Sequence, residues 1–109
     1  MTTEQGNKLI AEFLGWKHRK STEHPHVFPN GVWDDVECVG HPNLTFHLSW
    51  DCIIPVAAKI KGTPMIKGLV LVQTSLWEVM EDALVSLDIS KVWLASARFI
   101  EFLNNHQKH

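Results

Sequence analysis

The segment that most restricts the fold is the last long one, "ISKVWLASARFIEFLNN", residues 89–105. Ile89, Val92, Trp93, Ser96, Ile100 and Leu103 recur along it at helical spacing and define one face to be buried. Asp88, just ahead, has the side chain of an N-cap. A second row, Leu94, Arg98 and Phe102, runs beside the first at i, i+4, i+8. A chain of 109 residues has little of its own to cover both rows. The second row is therefore a candidate interface, most simply with another copy to make a homodimer; the alternative is a helix sunk more deeply between its neighbours.

Three further segments have helical signals. In "NKLIAEFLGW", Leu9, Ile10, Phe13 and Leu14 are spaced for a helix that Gly15 ends. Thr2 and Gln5 stand at capping-box spacing, while Gly6 counts against helix through that point. In "FHLSWDCIIPVAAKI", residues 46–60, Ser49 reads as the cap and Asp51 suits the first turn. Trp50, Ile53, Ile54, Ala57 and Ile60 form the apolar stripe, with Trp50 expected in the core. Pro55 removes the amide that would bond to the Asp51 carbonyl, at a cost of about 3 kcal/mol. Five apolar anchors offset that, so a single bent helix is expected. Ser75 and Glu78 have the spacing of a capping box ahead of "LWEVMEDALVSL".

The strands are shorter. "LVLVQ", residues 69–73, is a continuous apolar run that reads as a central strand covered on both faces. "WKHRK" reads as a short strand, and "STEHP" and "GHPN" as breaks. In "HVFPNGVWDDVECVG" the pair Asn30-Gly31 suits a tight hairpin turn. Beyond it, Val36 and Cys38 alternate with Asp35 and Glu37 as on a half-buried strand. The expected fold is α+β in a single domain, residues 1–109: a small antiparallel sheet with helices packed on it, in the manner of an α-β-α sandwich.

Composition narrows the function classes. Ten basic residues against 12 acidic give a net charge of -2, against the concentrated positive field that nonspecific nucleic-acid binding needs. No apolar run approaches a membrane span, and "MTTEQGNKLI" lacks the pattern of a signal peptide, so a cytoplasmic setting is expected. Two cysteines in such a chain, Cys38 and Cys52, read as reduced structural thiols.

"NKLIAEFLGW", "LSWDCIIPVAAKI" and "ALVSLDISKVWLASARFIEFLNN" resemble, in the same order, three blocks of small proteins from bacteriophages and mobile elements, notably of Bacteroidetes. Those proteins are similar to the phage α-β-α sandwich type. The resemblance implies a helix ending in Gly-Trp, a Ser-Trp-Asp block leading a helix with an internal proline, and an aromatic-rich closing helix. It covers about half of the chain, leaves residues 17–45 unmatched and implies no catalytic residues. The resemblance further implies a setting in the cytosol of a bacterial host.

Motifs for chemistry are sparse. Five tryptophans and no tyrosine, spread one per element, read as core residues, with Trp33 after the hairpin turn the exposed exception. His18, His24, His26, His41 and His47 crowd between the first two helices, but no metal-ligand spacing appears, so no metal and no cofactor are expected. Neither cysteine stands in a nucleophile context, and no phosphate-binding glycine loop is present, so no catalytic residues are assigned. "KHRK", residues 17–20, is the one basic cluster, a solvated strand edge in the simplest reading. Two binding functions remain. One is a non-enzymatic binder that interferes with a host protein. The other is a sponge for a small anionic ligand such as a nucleotide signal, held by Lys17, Arg19 and Lys20 with Trp33 stacking on the base.

Overall fold

The computed structural model describes residues 1–20, 31–37 and 39–107. In chain order these form α1 (Thr3–Phe13), β1 (Lys17–Arg19), β2 (Val32–Asp34), β3 (Gly40–His41), α2 (Trp50–Lys61), α3 (Val70–Ser86) and α4 (Ile89–Gln107). The architecture is α+β, with helices and an antiparallel sheet ordered β1-β2-β3. Among the described residues no helix is long and apolar enough to cross a membrane.

The closing helix organises the core. It packs against α1, α2 and α3, and Val92, Trp93, Ser96, Ile100 and Leu103 are buried as their spacing requires. Asp88 caps it: Oδ1 accepts from the Ser90 N–H at 3.0 Å. Ile10 and Ala11 from α1, Ile53, Val56, Ala57 and Ile60 from α2, and Met80 and Ala83 from α3 complete one continuous core.

Both ends of α1 follow their sequence signals. Thr2 and Gln5 form the reciprocal capping box. At the other end Gly15 takes φ +84°, and the Trp16 N–H reaches back to the Ala11 carbonyl at 2.9 Å, the bond of a Schellman ending. Lys59 of α2 donates to the Phe13 carbonyl and lies over the Phe13 ring. Gly6, unfavourable by about 1 kcal/mol in a helix interior, is explained by its neighbour. A Cβ there would stand 2.2 Å from Cζ2 of Trp93.

In α2 the helix runs through Pro55 without a break. Its buried row is Ile53, Val56, Ala57 and Ile60, itself an i, i+3, i+4, i+7 pattern. That row turns Ile54 outward, and Trp50 is 37% exposed rather than a core residue. Trp50 occupies the first helical position, flanked by exposed Leu48 and Asp51. Ser49 takes the cap position but makes no side-chain cap bond.

The largest departure is at residues 69–73, which are not a central strand. Val70 opens α3, and the helix already includes Ser75, whose hydroxyl donates back to the Leu71 carbonyl instead of capping. Gln73 holds this start in place. Its side chain is 1% exposed, accepts from the Ile66 N–H at 3.0 Å and donates to the Pro64 carbonyl at 3.1 Å. A short apolar run carries no period that separates strand from helix, and here the buried amide decides.

Residues 35–37 are likewise a turn and not a strand. Asp35 Oδ1 accepts from the Glu37 and Val39 N–H groups at 2.9 Å each, which closes the loop and leaves Val36 exposed. Gly40 and His41, expected as a break, form β3. Val32–Asp34 has β1 on one side and β3 on the other. Of the expected hairpin turn, Gly31 has φ +77°. Asn30 and the "STEHP" break lie outside the described residues.

Candidate functional site

Residues directly opposed in an antiparallel pair share one face of the sheet, so the register determines which side chains can meet. His18 opposes Trp33, and Trp33 opposes His41. The His18 and Trp33 rings lie 5.0 Å apart. Trp16, just before β1, stacks on His41 at 4.6 Å and touches Phe46 at 5.1 Å. This aromatic face packs Trp16 and Trp33 against the helical core.

The opposite face carries Lys17, Arg19, Val32 and Asp34, alternating with the aromatic set. Arg19 grips Asp34 with Nε to Oδ2 at 3.0 Å and Nη2 to Oδ1 at 3.2 Å. That pairing holds the Asp34 carboxyl below the ordinary aspartate range. Asp35 is lowered as well, first by its hydrogen bond to His41 Nε2 at 2.9 Å and then by the Val39 amide. Lys20 is exposed beyond the end of β1. Lys17 and Arg19 therefore do not share a face with Trp33, and the four candidate ligand residues are not gathered into one site. His18 takes the place beside Trp33 that the anion-binding reading gave to the basic residues.

A cleft of about 770 Å³ opens between α1, this aromatic face and residues 42–47. Asn7, Lys8, Glu12, His18, Trp33 and His47 are among its walls. Buried Asn7 is its anchor. The Trp93 indole N–H donates to Asn7 Oδ1 at 2.8 Å, which fixes the amide orientation because an indole can only donate. Asn7 Nδ2 then donates to the Leu44 carbonyl at 3.0 Å and faces His47 Nδ1 at 3.0 Å, so that ring nitrogen is the acceptor. One amide thus ties α1 to α4 and to the 44–47 segment. The cleft offers a planar group the Trp33 and His18 rings. Its charges are mixed, with Lys8 set against Glu4 and Glu12.

Sequence reasoning did not single out Asn7 or Lys8, and weighed His47 only as a metal ligand. The one available signal was the polar pair Gly6-Asn7 a turn ahead of Ile10-Ala11, on what becomes the buried side of α1.

The proposed interface row is uneven. Leu94 is half-buried and Arg98 exposed, and both line a groove against α3. Phe102 is half-buried, edge-on to Phe99 at 6.4 Å and 4.6 Å from His106. Of the tryptophans only Trp93 is a buried core residue; Trp16, Trp33 and Trp77 are half-buried against the core. Half-buried Cys52 lies 3.8 Å from the Thr45 hydroxyl. Cys38, His24 and His26 fall outside the described residues, among which no group of three or more His, Cys, Asp or Glu side chains is placed to hold a metal ion.

A run of consecutive exposed apolar residues lies elsewhere. Val70, Leu71 and Val72, the first turn of α3, are all exposed, Leu71 at 85%, and Met65 in the preceding loop is exposed with them. No protein-family model, curated protein or solved structure matches this chain.

Proposed function

We infer that this is a small protein of a phage or mobile element that acts without catalysis, by binding a host protein in the bacterial cytosol. The observation that carries the reading is the display of Val70, Leu71 and Val72, with Met65 of the preceding loop also exposed. Three consecutive exposed apolar residues are unfavourable in water, and none of them belongs to the chain's core cluster, so their use is to be covered by something else. The fold supports that use. Gln73, directly after the run, is bonded at both ends of its amide to the 64–66 loop, so the apolar turn is held on a fixed base. A partner groove lined with aliphatic side chains is the complement such a turn requires.

The reading is tested with a photo-crosslinking residue at position 71 and, as a control, at exposed Lys61, in lysate of the host. One partner joined at position 71, absent at position 61 and lost on Val72→Asp supports it. A partner joined equally at both positions, or none at 71, removes it.

The cleft beside Trp33 favours a second reading, a small planar ligand with an acidic group. Trp33 and His18 supply the stacking surface and Lys8 the ammonium. Glu4 and Glu12 on the same walls oppose an anion, which places this reading behind the first.

A further inference from the structure

α3 and α4 are joined by Leu87 and Asp88 alone, and a groove of about 280 Å³ runs between their outer faces. This surface lies at the other end of α3 from the displayed Val70–Val72 turn. Its floor is small and apolar, with Ala83 and Ala95 nearly buried and Val79 and Leu94 beside them. Its walls carry opposite charge: Asp82 on α3, Lys91 and Arg98 on α4. None of these three charges forms a salt bridge within the chain among the described residues.

We propose that this groove is the interface of a two-fold homodimer in which α3 of each copy lies on α4 of the other. Charge selects the arrangement. Ser96 Oγ donates to Met80 Sδ at 3.5 Å, so these two residues lie level on the antiparallel helices. Two steps toward the connecting turn, Asp82 is level with Leu94, between Lys91 and Arg98; two steps away, Glu78 is level with Arg98. A two-fold axis along the groove carries α3 onto the partner's α4 at the same level. Asp82 then meets the partner's Lys91 and Arg98, and Glu78 meets the partner's Arg98. An axis across the groove would instead lay α3 on α3 and set acid against acid. Because a two-fold interface repeats every contact, each attraction counts twice. The alanine floor lets the paired helices approach, and exposed Val79 is the side chain that enters it. Of the row Leu94, Arg98 and Phe102, the first two belong to this surface, while Phe102 is engaged by Phe99 and His106.

Sedimentation equilibrium of the full chain over a range of concentrations tests the proposal, with circular dichroism confirming that each variant is folded. The wild type should dimerise, and the dimer should weaken as salt rises from about 0.1 M to about 1 M, over which the screening length falls from about 10 Å to about 3 Å. Asp82→Lys and Arg98→Glu should each weaken it at least about tenfold, because each places like charges together twice. Reversing every charge of the arrangement together, with Glu78→Lys, Asp82→Lys, Lys91→Glu and Arg98→Glu, makes each pairing attractive again and should restore the dimer. A wild type that stays monomeric, single variants that dimerise as well as wild type, or a fully reversed variant no tighter than the singles would each overturn the arrangement.

Discussion

The indole of Trp93 occupies the space where a side chain on Gly6 would stand: Cζ2 is 2.2 Å from the position of a Cβ. The same indole donates to Asn7, the next residue of α1, at 2.8 Å. The contact fixes how closely the first and last helices approach. Through Asn7 it also fixes the 44–47 segment that walls the cleft.

Gly6→Ala should therefore destabilise the fold although alanine is the better helix former. Overpacking costs about 1–3 kcal/mol, and the gain in helix propensity returns about 1 kcal/mol at most. Trp93 cannot swing aside without losing its bond to Asn7. A Cβ 2.2 Å from Cζ2 puts the cost at the upper end of that range, so urea unfolding monitored by tryptophan fluorescence should give a net loss of about 1–2 kcal/mol. An alanine variant as stable as wild type would place Trp93 elsewhere.

The acid side of the stability profile should depend on Asp34 and Asp35. Both are held below the ordinary aspartate range, Asp34 by Arg19 and Asp35 by His41 and the Val39 amide. A carboxyl lowered in the folded state contributes stability above its unfolded value of about 4 and loses it as pH falls through the native value. Carboxyl carbon chemical shifts followed against pH should place both midpoints below 4. Arg19→Ala should raise the Asp34 midpoint and leave Asp35 nearly unmoved. Equal shifts at both residues would mean that Arg19 acts on the whole turn and not on Asp34 alone.

If the cleft takes a planar anionic ligand, recognition should depend on Trp33 and Lys8 and not on Arg19, which is turned to the other face of the sheet and held by Asp34. A thermal-shift screen of cyclic and linear nucleotides measures this. A ligand that raises the melting temperature should do so in Arg19→Ala and fail in Trp33→Ala, whose lost stacking is worth about 1–3 kcal/mol. A ligand lost with Arg19→Ala and kept by Trp33→Ala would return the site to the basic face.

The parts of this fold legible in the sequence are those whose signals are local. α4 and α1 carry an unambiguous helical period with caps or stops at their ends, and Thr2, Gln5, Gly15 and Asp88 act as their positions require. Val70–Val72 were misread because a short β-branched run is equally compatible with strand and helix. The deciding bonds, from Gln73 back to Pro64 and Ile66, belong to a loop with no pattern of its own. Trp50 was misplaced by counting Ile54 into the stripe in place of Val56. The cleft could not be seen at all. Its anchor joins Asn7 to Trp93 and His47 across most of the chain, and the separation of Trp33 from Arg19 follows from a strand register that only pairing reveals.

The central claim is that the apolar turn at the start of α3 is displayed for a partner and is not part of the core. Equilibrium unfolding of Leu71→Asp tests it most directly. A displayed Leu71 predicts a folded variant whose stability lies within about 0.5 kcal/mol of wild type, as for other exposed positions. A loss of about 2 kcal/mol or more, the cost of forcing a charge into an apolar interior, would return residues 69–73 to the core and contradict the account.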